Sequence, residues 1–454
     1  MKQTVPDFDG GRLAELHAVE EDRFVELHPG SAELAADARE HLLAGVPMPW
    51  MTRWPGAFPL FVAEANGARI TDVDGNEYVD FCLGDTGAMT GHALPQVADA
   101  IARQAERGIT TMLPTTDAAW VADELARRFR LPSWQMAMTA TDANRFVLRF
   151  ARHLTGRPKV CVMDWCYHGT VDETLAILDS AGQVVARPGS LGAQVDPALT
   201  TRVVPFNDLD ALDTALANGD VAAVLMEPAL TNIGIVLPEP GYLDGVRELT
   251  RRHGTLLVID ETHTICAGPG GCTAAWELEP DFFVIGKPIA GGVPAAAYGM
   301  TADIAARLQD PLNGHEADVS GIGGTLTASA LALAATRATL SNALLDDDYA
   351  VMVPLATRWT DGVAGVIDDA GLAWTVQRLG CRAEYWFCPP PRNGAEAAAA
   401  VDEELDAFMH LWAMNRGILL TPFHNMALLS PFHTESAVDR HTEVFAAAVA
   451  ALLN

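Results

Sequence analysis

Thr255-Leu256-Leu257-Val258-Ile259-Asp260-Glu261 is a short apolar run that stops on two carboxylates, and Phe282-Phe283-Val284-Ile285-Gly286-Lys287-Pro288 is another that stops on a lysine. Runs this short and this uniformly apolar suit strands buried on both faces, because a surface helix would interleave polar residues every turn. Lys159 to Met163 has the same form, as does Val221 to Met226, which ends in Glu227-Pro228. Helical patterns separate these runs from Leu94 to about Leu345. Such alternation predicts a mostly parallel sheet covered by helices on both faces.

In open sheets of that kind, ligands gather beyond the carboxyl ends of the strands, so Asp260, Glu227 and Lys287 are the first candidates for chemistry. A desolvated lysine gives up its proton readily and can form a Schiff base, although a lone lysine is most often simply solvated. Asp260 changes that balance. A carboxylate at a neighbouring strand end can keep a pyridine nitrogen protonated, and only then does the ring work as an electron sink. Thr139-Ala140-Thr141-Asp142 stands just ahead of the helical run Ala143 to His153, where free backbone N–H groups and two hydroxyls suit a phosphate. The same residues would also serve as a plain helix cap through Thr141 or Asp142.

Outward from this centre the pattern changes. Residues up to about 45 are helical in spacing, with Leu13, Leu16 and Val19 on one face, and Val46 to Pro59 is a Pro- and Trp-rich loop. Ala68 to Phe81 carries Asp74-Gly75-Asn76 between apolar flanks, a hairpin signature. Beyond Leu345 an α+β pattern returns, with strands near Glu384 to Cys388 and Ile418 to Leu420 and a terminal helix ending near Leu453. Pro389 to Asn393 reads as a turn entering a helix. The expected organisation is an N-terminal segment over 1–90, a large domain over 91–345 and a C-terminal small domain over 346–454.

Composition narrows the function classes. The chain has 454 residues, 49% of them hydrophobic, with 59 acidic against 30 basic residues and a formal net charge of -29. A surface so negative repels phosphate backbones and anionic membrane faces, so neither nucleic acid nor membrane is an expected partner. Met1 to Glu21 has scattered charges and no apolar run, hence the expectation of neither a secretory signal nor an anchor. The seven cysteines are odd in number, dispersed and without zinc-type spacing, as for reduced core thiols of a cytoplasmic protein with no metal site.

Taken together, the motifs resemble one family. Asp260-Glu261-Thr262-His263-Thr264, Glu227-Pro228 and Gly286-Lys287-Pro288-Ile289-Ala290-Gly291-Gly292 are similar in order and spacing to class III aminotransferases, nearest the glutamate-1-semialdehyde aminomutase branch. Asp72 to Asn76, Tyr78 to Asp80, Gly91-His92, Tyr167-His168-Gly169, Asn232 and Gly324-Thr325 extend the similarity from about Val46 to the C-terminus. The resemblance implies an α/β fold-type-I enzyme of pyridoxal 5'-phosphate, with a mostly parallel seven-stranded sheet in the large domain and a small α+β domain built from both termini.

It also implies roles. Lys287 would hold the cofactor as a Schiff base and move the substrate proton, and Asp260 would pair with the ring nitrogen. Tyr167 would stack on the ring, Thr262 would face its other side and Asn232 would reach the ring hydroxyl. Thr139, Ala140 and Thr141 would hold the phosphate, and His168, Glu227 and His263 would complete the cofactor site. Thr325 would reach the phosphate of the other subunit, which implies a homodimer with shared sites. On residue type alone, Tyr167 is equally a half-buried core tyrosine and Asn232 a loop cap.

The sequence also departs from the family. Ala140 and Asp142 replace the glycine and glutamate of the usual Ser-Gly-Thr-Glu loop, so a positive φ at Ala140 would alter the phosphate grip. The loop Val46 to Trp54 has Trp50 or Met51 where aminomutases carry an arginine, with Arg53 displaced from it. Thr421 to Ser430 contains neither an arginine nor the acidic residue that aminomutases keep there. On this ground the sequence favours a ping-pong aminotransferase, moving an amino group from an amine or amino acid with a bulky or apolar side chain to an oxo acid or ketone. An aminomutase or racemase is the alternative.

Trp50, Met51, Arg53 and Asp85 are the substrate-side candidates. Met48, Trp50, Met51 and Trp54 read either as an apolar substrate wall or as a loop packed on the core. Asp85 would select a substrate hydroxyl or amine, or cap a turn before Gly87. Arg378 and Arg382 are further carboxylate ligands or surface partners of Glu384. A non-catalytic protein of the same fold is opposed by the presence of both Lys287 and Asp260. The glycine clusters at Gly268 to Gly271 and Gly291-Gly292 match no nucleotide-binding spacing.

Overall fold

The computed structural model describes residues 10–192, 195–313 and 318–453, so the start of the Met1 to Glu21 segment lies outside it. The chain forms two compact units, one of residues 1–94, 347–390 and 399–454, the other of residues 95–346 and 391–398.

The second unit is built on a seven-stranded sheet. Its strands in chain order are β1 (Ser133–Ala137), β2 (Lys159–Met163), β3 (Thr201–Val204), β4 (Val221–Met226), β5 (Leu256–Asp260), β6 (Phe282–Ile285) and β7 (Ala296–Met300). In space they run β1-β7-β6-β5-β4-β2-β3. All neighbours are parallel except β7, which is antiparallel to both β6 and β1. Every residue of β4 and β6 is buried, which is why these strands read as unbroken apolar runs. The strand expected over Thr255 to Ile259 is shifted by one and includes Asp260.

Three strands of this sheet were not foreseen. β7 is Ala-Ala-Tyr-Gly-Met, a composition of poor strand propensity, yet all five residues are buried. Packing explains it: a Cβ on Gly299 would come within 2.6 Å of the Trp134 ring on β1, so the glycine makes room for the indole. β3 is an edge strand whose Arg202 pairs with Asp220 at 2.7 Å, a polar interruption of the apolar run.

In the first unit, Val62–Asn66, Arg69–Asp72 and Glu77–Asp80 form an antiparallel meander. Asp72 turns it, its carboxylate accepting from the backbone N–H of Asp74 and Asn76 at 3.0 and 2.8 Å, while Gly75 takes a φ of 86°. Ile418–Leu419 joins the meander parallel to Glu77–Asp80, so segments from both ends of the chain share one sheet. A separate three-stranded sheet holds Thr375–Leu379, Arg382–Trp386 and Met426–Leu428. The helices Gly10–Leu27, Pro29–Ala38 and Glu435–Leu453 fall where the helical periodicity placed them. Among the described residues no helix is long and apolar enough to cross a membrane.

Candidate active site

Asp260 is the last residue of β5 and is buried. One carboxylate oxygen accepts from Asn144 Nδ2 and from His168 Nδ1, both at 2.9 Å, and the other accepts from the Thr262 backbone N–H at 3.1 Å. Burial opposes ionisation, but the hydrogen bond and charge of His168, with the Asn144 amide, outweigh it and hold the carboxyl below the usual range. His168 answers in kind. Burial lowers it, while Cys166 and Asp260 raise it to a net value above an ordinary imidazole. The pair is therefore a fixed carboxylate backed by an imidazolium, oriented as well as charged.

Lys287 follows β6 at the first position of a tight turn over Lys287–Ala290. Its φ of 47° lies in the left-handed region, where a side chain costs about 1–2 kcal/mol. Strain of this sort persists only where the surroundings over-determine the backbone. Here the buried strand ahead of it and the buried Pro288, Ile289 and Ala290 after it do so. Lys287 Nζ lies 2.5 Å from His263 Nε2, which places the lysine over the turn that leaves β5.

The third component is the start of the helix Ala140–Thr155. Thr139 is its cap, accepting from the Asp142 N–H at 3.2 Å, in place of the expected Thr141 or Asp142. Ala140 is the first helical residue and does not have a positive φ, so its Cβ leaves the turn unaltered. Thr141 Oγ1 accepts from the Thr170 N–H at 3.1 Å. Gly286, the residue before Lys287, sits so near the helix start that a Cβ on it would be 3.1 Å from the Ala140 Cβ. The lysine and the free N–H groups of a helix end thus adjoin, as an anionic group on a lysine-bound ring requires.

Gly169 secures this arrangement. Its φ is 79°, and an added Cβ would fall 2.0 Å from Thr141 Oγ1. Gly169→Ala is expected to displace the Thr141 hydroxyl and cost about 1–3 kcal/mol of stability. Denaturant unfolding together with cofactor titration checks this; an unchanged cofactor affinity would refute the link between Gly169 and the phosphate cradle.

The remaining cofactor-side candidates lie in the same unit. Thr262 is buried beside Asp260, and its backbone N–H donates to that carboxylate. Tyr167 is half-buried, between Trp165 and Gly169, both at positive φ. Asn232 donates to the Trp165 carbonyl at 3.1 Å, a loop-fixing bond that ties the segment after β4 to the segment carrying Tyr167. Glu227 is buried and bonded by Thr231, a residue the sequence reading passed over. Thr325 is exposed, next to Gly324 at φ 153°. The carboxylate, lysine and helix end together fit pyridoxal phosphate.

The substrate-side candidates belong to the first unit. Trp50, Met51 and Arg53 share the short turn Pro49–Arg53 and are exposed, Trp50 meeting Phe423 edge-on at 5.6 Å. Trp54, by contrast, packs with Phe24, Tyr78 and Leu419, so only part of the loop is core. Asp85 occupies a turn in which Leu83, Asp85 and Thr86 all have positive φ. Arg382 and Glu384 are both buried, which corrects the expectation of a surface pair: their strand is covered on both faces. Glu384 lies opposite Met426 and 3.3 Å from His424, so the fold brings a carboxylate to Thr421 to Ser430 from another strand.

Comparison with known proteins agrees with this geometry. The model of the family Aminotransferase class-III matches residues 50–350. The glutamate-1-semialdehyde 2,1-aminomutase of Sorangium cellulosum (strain So ce56) is 36% identical over 423 residues, 91% of this chain and 94% of that protein. That of Desulfitobacterium hafniense (strain Y51) is 34% identical over 391 residues, 85% and 89% of the two chains. A crystal structure of a glutamate-1-semialdehyde-aminomutase from Pseudomonas aeruginosa PAO1 is 52% identical with a TM-score of 0.96, covering 98% of this chain and 99% of that one. A variant of that protein has been solved in complex with PMP. An omega-transaminase from Sphaerobacter thermophilus is 27% identical, with a TM-score of 0.86 and coverage of 93% and 98%.

These similarities overturn the expected transfer between two molecules, since the relatives at 34–52% identity over most of the chain are aminomutases. The chain belongs to the class-III aminotransferase family, the fold-type-I enzymes of pyridoxal phosphate.

Proposed function

We propose that the chain is an aminomutase, moving an amino group between adjacent carbons of one small amino aldehyde of the glutamate-1-semialdehyde kind. The observation that carries this reading is the 52% identity to the Pseudomonas aeruginosa aminomutase across almost the whole of both chains. When bound, the cofactor supplies the electron sink that loosens a proton next to the nitrogen. Lys287 holds the ring and carries that proton between carbons. Asp260, kept ionised by His168, holds the ring nitrogen protonated. Thr139, Ala140 and Thr141 take the phosphate at the helix start, Tyr167 and Thr262 enclose the ring, and Asn232 sets its edge.

The substrate-side assignment is Trp50, Met51, Arg53 and Asp85. A homodimer is part of the proposal. Thr325 is exposed beside Met112 and Leu113, which are 73% and 72% exposed and line the same groove, an apolar surface suited to a second copy that receives Thr325. We place the working enzyme in the cytoplasm, given its cysteine usage, with the functional domains divided at 90 and 345.

Isotope tracing separates one-molecule from two-molecule transfer. Glutamate-1-semialdehyde labelled with 15N at carbon 2 is expected to give a product with the label on carbon 1 and a carbonyl on carbon 2, at a rate unaffected by added oxo acids. Label appearing in an added oxo acid as the main product would overturn the proposal.

A further inference from the structure

Lys287, His263, Thr231 and Glu227 lie on one line of hydrogen bonds. Lys287 Nζ is 2.5 Å from His263 Nε2, His263 Nδ1 is 2.8 Å from Thr231 Oγ1, and the Thr231 hydroxyl donates to Glu227 Oε2. An ammonium has donors only, so His263 Nε2 accepts from it, the imidazole carries its own proton on Nδ1, and that proton points to Thr231. The hydroxyl, having received one bond, passes its hydrogen to the carboxylate. Thr231, Glu227 and His263 are 0%, 2% and 7% exposed, so the line behind Lys287 is shielded from bulk water. His263 Nδ1 is also 3.5 Å from Glu227 Oε2, close enough for direct attraction if the imidazole gains a proton.

We propose that Glu227 and Thr231 hold His263 as the base that takes the proton from the Lys287 ammonium. In the step, one Nζ–H bond breaks, one Nε2–H bond forms, and the lysine keeps its electron pair as a free amine. The positive charge moves to the imidazolium, where Glu227 faces it, and the reverse transfer restores the ammonium. Lysine must be an amine both to bond a cofactor aldehyde and to accept a proton from substrate. His263 touches the reacting nitrogen and is catalytic in that sense; Thr231 and Glu227 are positioning residues, as the carboxylate is to the imidazole in other charge-backed bases.

The neighbouring ionisable groups are otherwise engaged. Asp260 is held by His168 and Asn144, Glu261 by Thr264 and Thr273, and Cys272 lies within the field of Glu227 with burial and the charges of Glu261, Cys266 and Glu227 raising its thiol. The inference rests on Lys287 being the cofactor lysine and is independent of the choice of an aminomutase.

The test is the reactivity of Lys287 in the full-length apoprotein toward trinitrobenzenesulfonate, followed at the Lys287 peptide by mass spectrometry across pH. Thr231→Val, which keeps the shape and removes the hydroxyl, is expected to lower modification at neutral pH about tenfold. Glu227→Gln should do the same, and Thr231→Ser should restore the wild-type profile. A Thr231→Val profile superimposable on wild type overturns the proposal. So does a Thr231→Ser profile displaced as far as that of Thr231→Val, because that marks packing alone. Failure of the underlying lysine assignment is read separately, as cofactor linkage surviving in Lys287→Ala.

Discussion

Replacing Lys287 with alanine is expected to abolish turnover, by at least about a thousandfold, and to remove the visible absorbance of a cofactor joined to the protein. The fold should survive. Lys287 is only partly buried, and its left-handed backbone is imposed by its neighbours rather than by the side chain. Alanine at the same φ keeps the cost of that conformation but loses nothing from the core. Circular dichroism, thermal unfolding and the absorbance spectrum of the purified variant decide the matter. A wild-type spectrum in Lys287→Ala would mean that another amine holds the cofactor, and the site assignment would fail.

Substituting Asp260 with asparagine should be the next most damaging change, lowering kcat about a hundredfold or more. The amide cannot hold the charge of a protonated ring nitrogen, so the electron sink weakens while the shape of the site is nearly kept. His168 gives an independent readout. Burial lowers its pKa, and Cys166 and Asp260 lift it to a net raised value. Removing the carboxylate should therefore let the His168 pKa fall, and the imidazole should become neutral at a lower pH than in wild type. Proton NMR of His168 in both proteins measures this; an unmoved titration would show that Asp260 is not what charges the imidazole. In wild type the raised imidazole and the lowered carboxyl of this pair both favour the ion pair around neutral pH. Its contribution to stability is lost on acidification as Asp260 takes up a proton, and on alkalinisation as His168 releases one.

The departures from the family pattern were informative only once the chain was folded. The missing acid of Thr421 to Ser430 pointed away from an aminomutase. Glu384 is distant in sequence, yet Met426 lies opposite it in the sheet and His424 lies beside it. Strand pairing sets a carboxylate beside that segment, which a linear motif does not register. Thr231 was overlooked for a related reason. An isolated threonine after a strand carries no signal until the turn after β5 brings His263 against it. The Ala140 departure had the opposite outcome, since the helix simply begins there.

What the sequence alone determined was the frame and its chemistry. The uninterrupted apolar runs of β4, β5 and β6 meant strands buried on both faces, and the polar residues closing them meant a site at one edge of the sheet, because burial allows polar groups only where the strand ends. Tertiary structure alone decided which side chains act together. The pairing of β7 with β1 around Gly299, the backing of Asp260 by His168, and the bonds of His263 to Lys287 and Thr231 all join residues far apart in the chain. Hydrogen bonds are formed between atoms about 3 Å apart in space, and no periodicity or spacing in a sequence encodes that distance across strands until the sheet order is set.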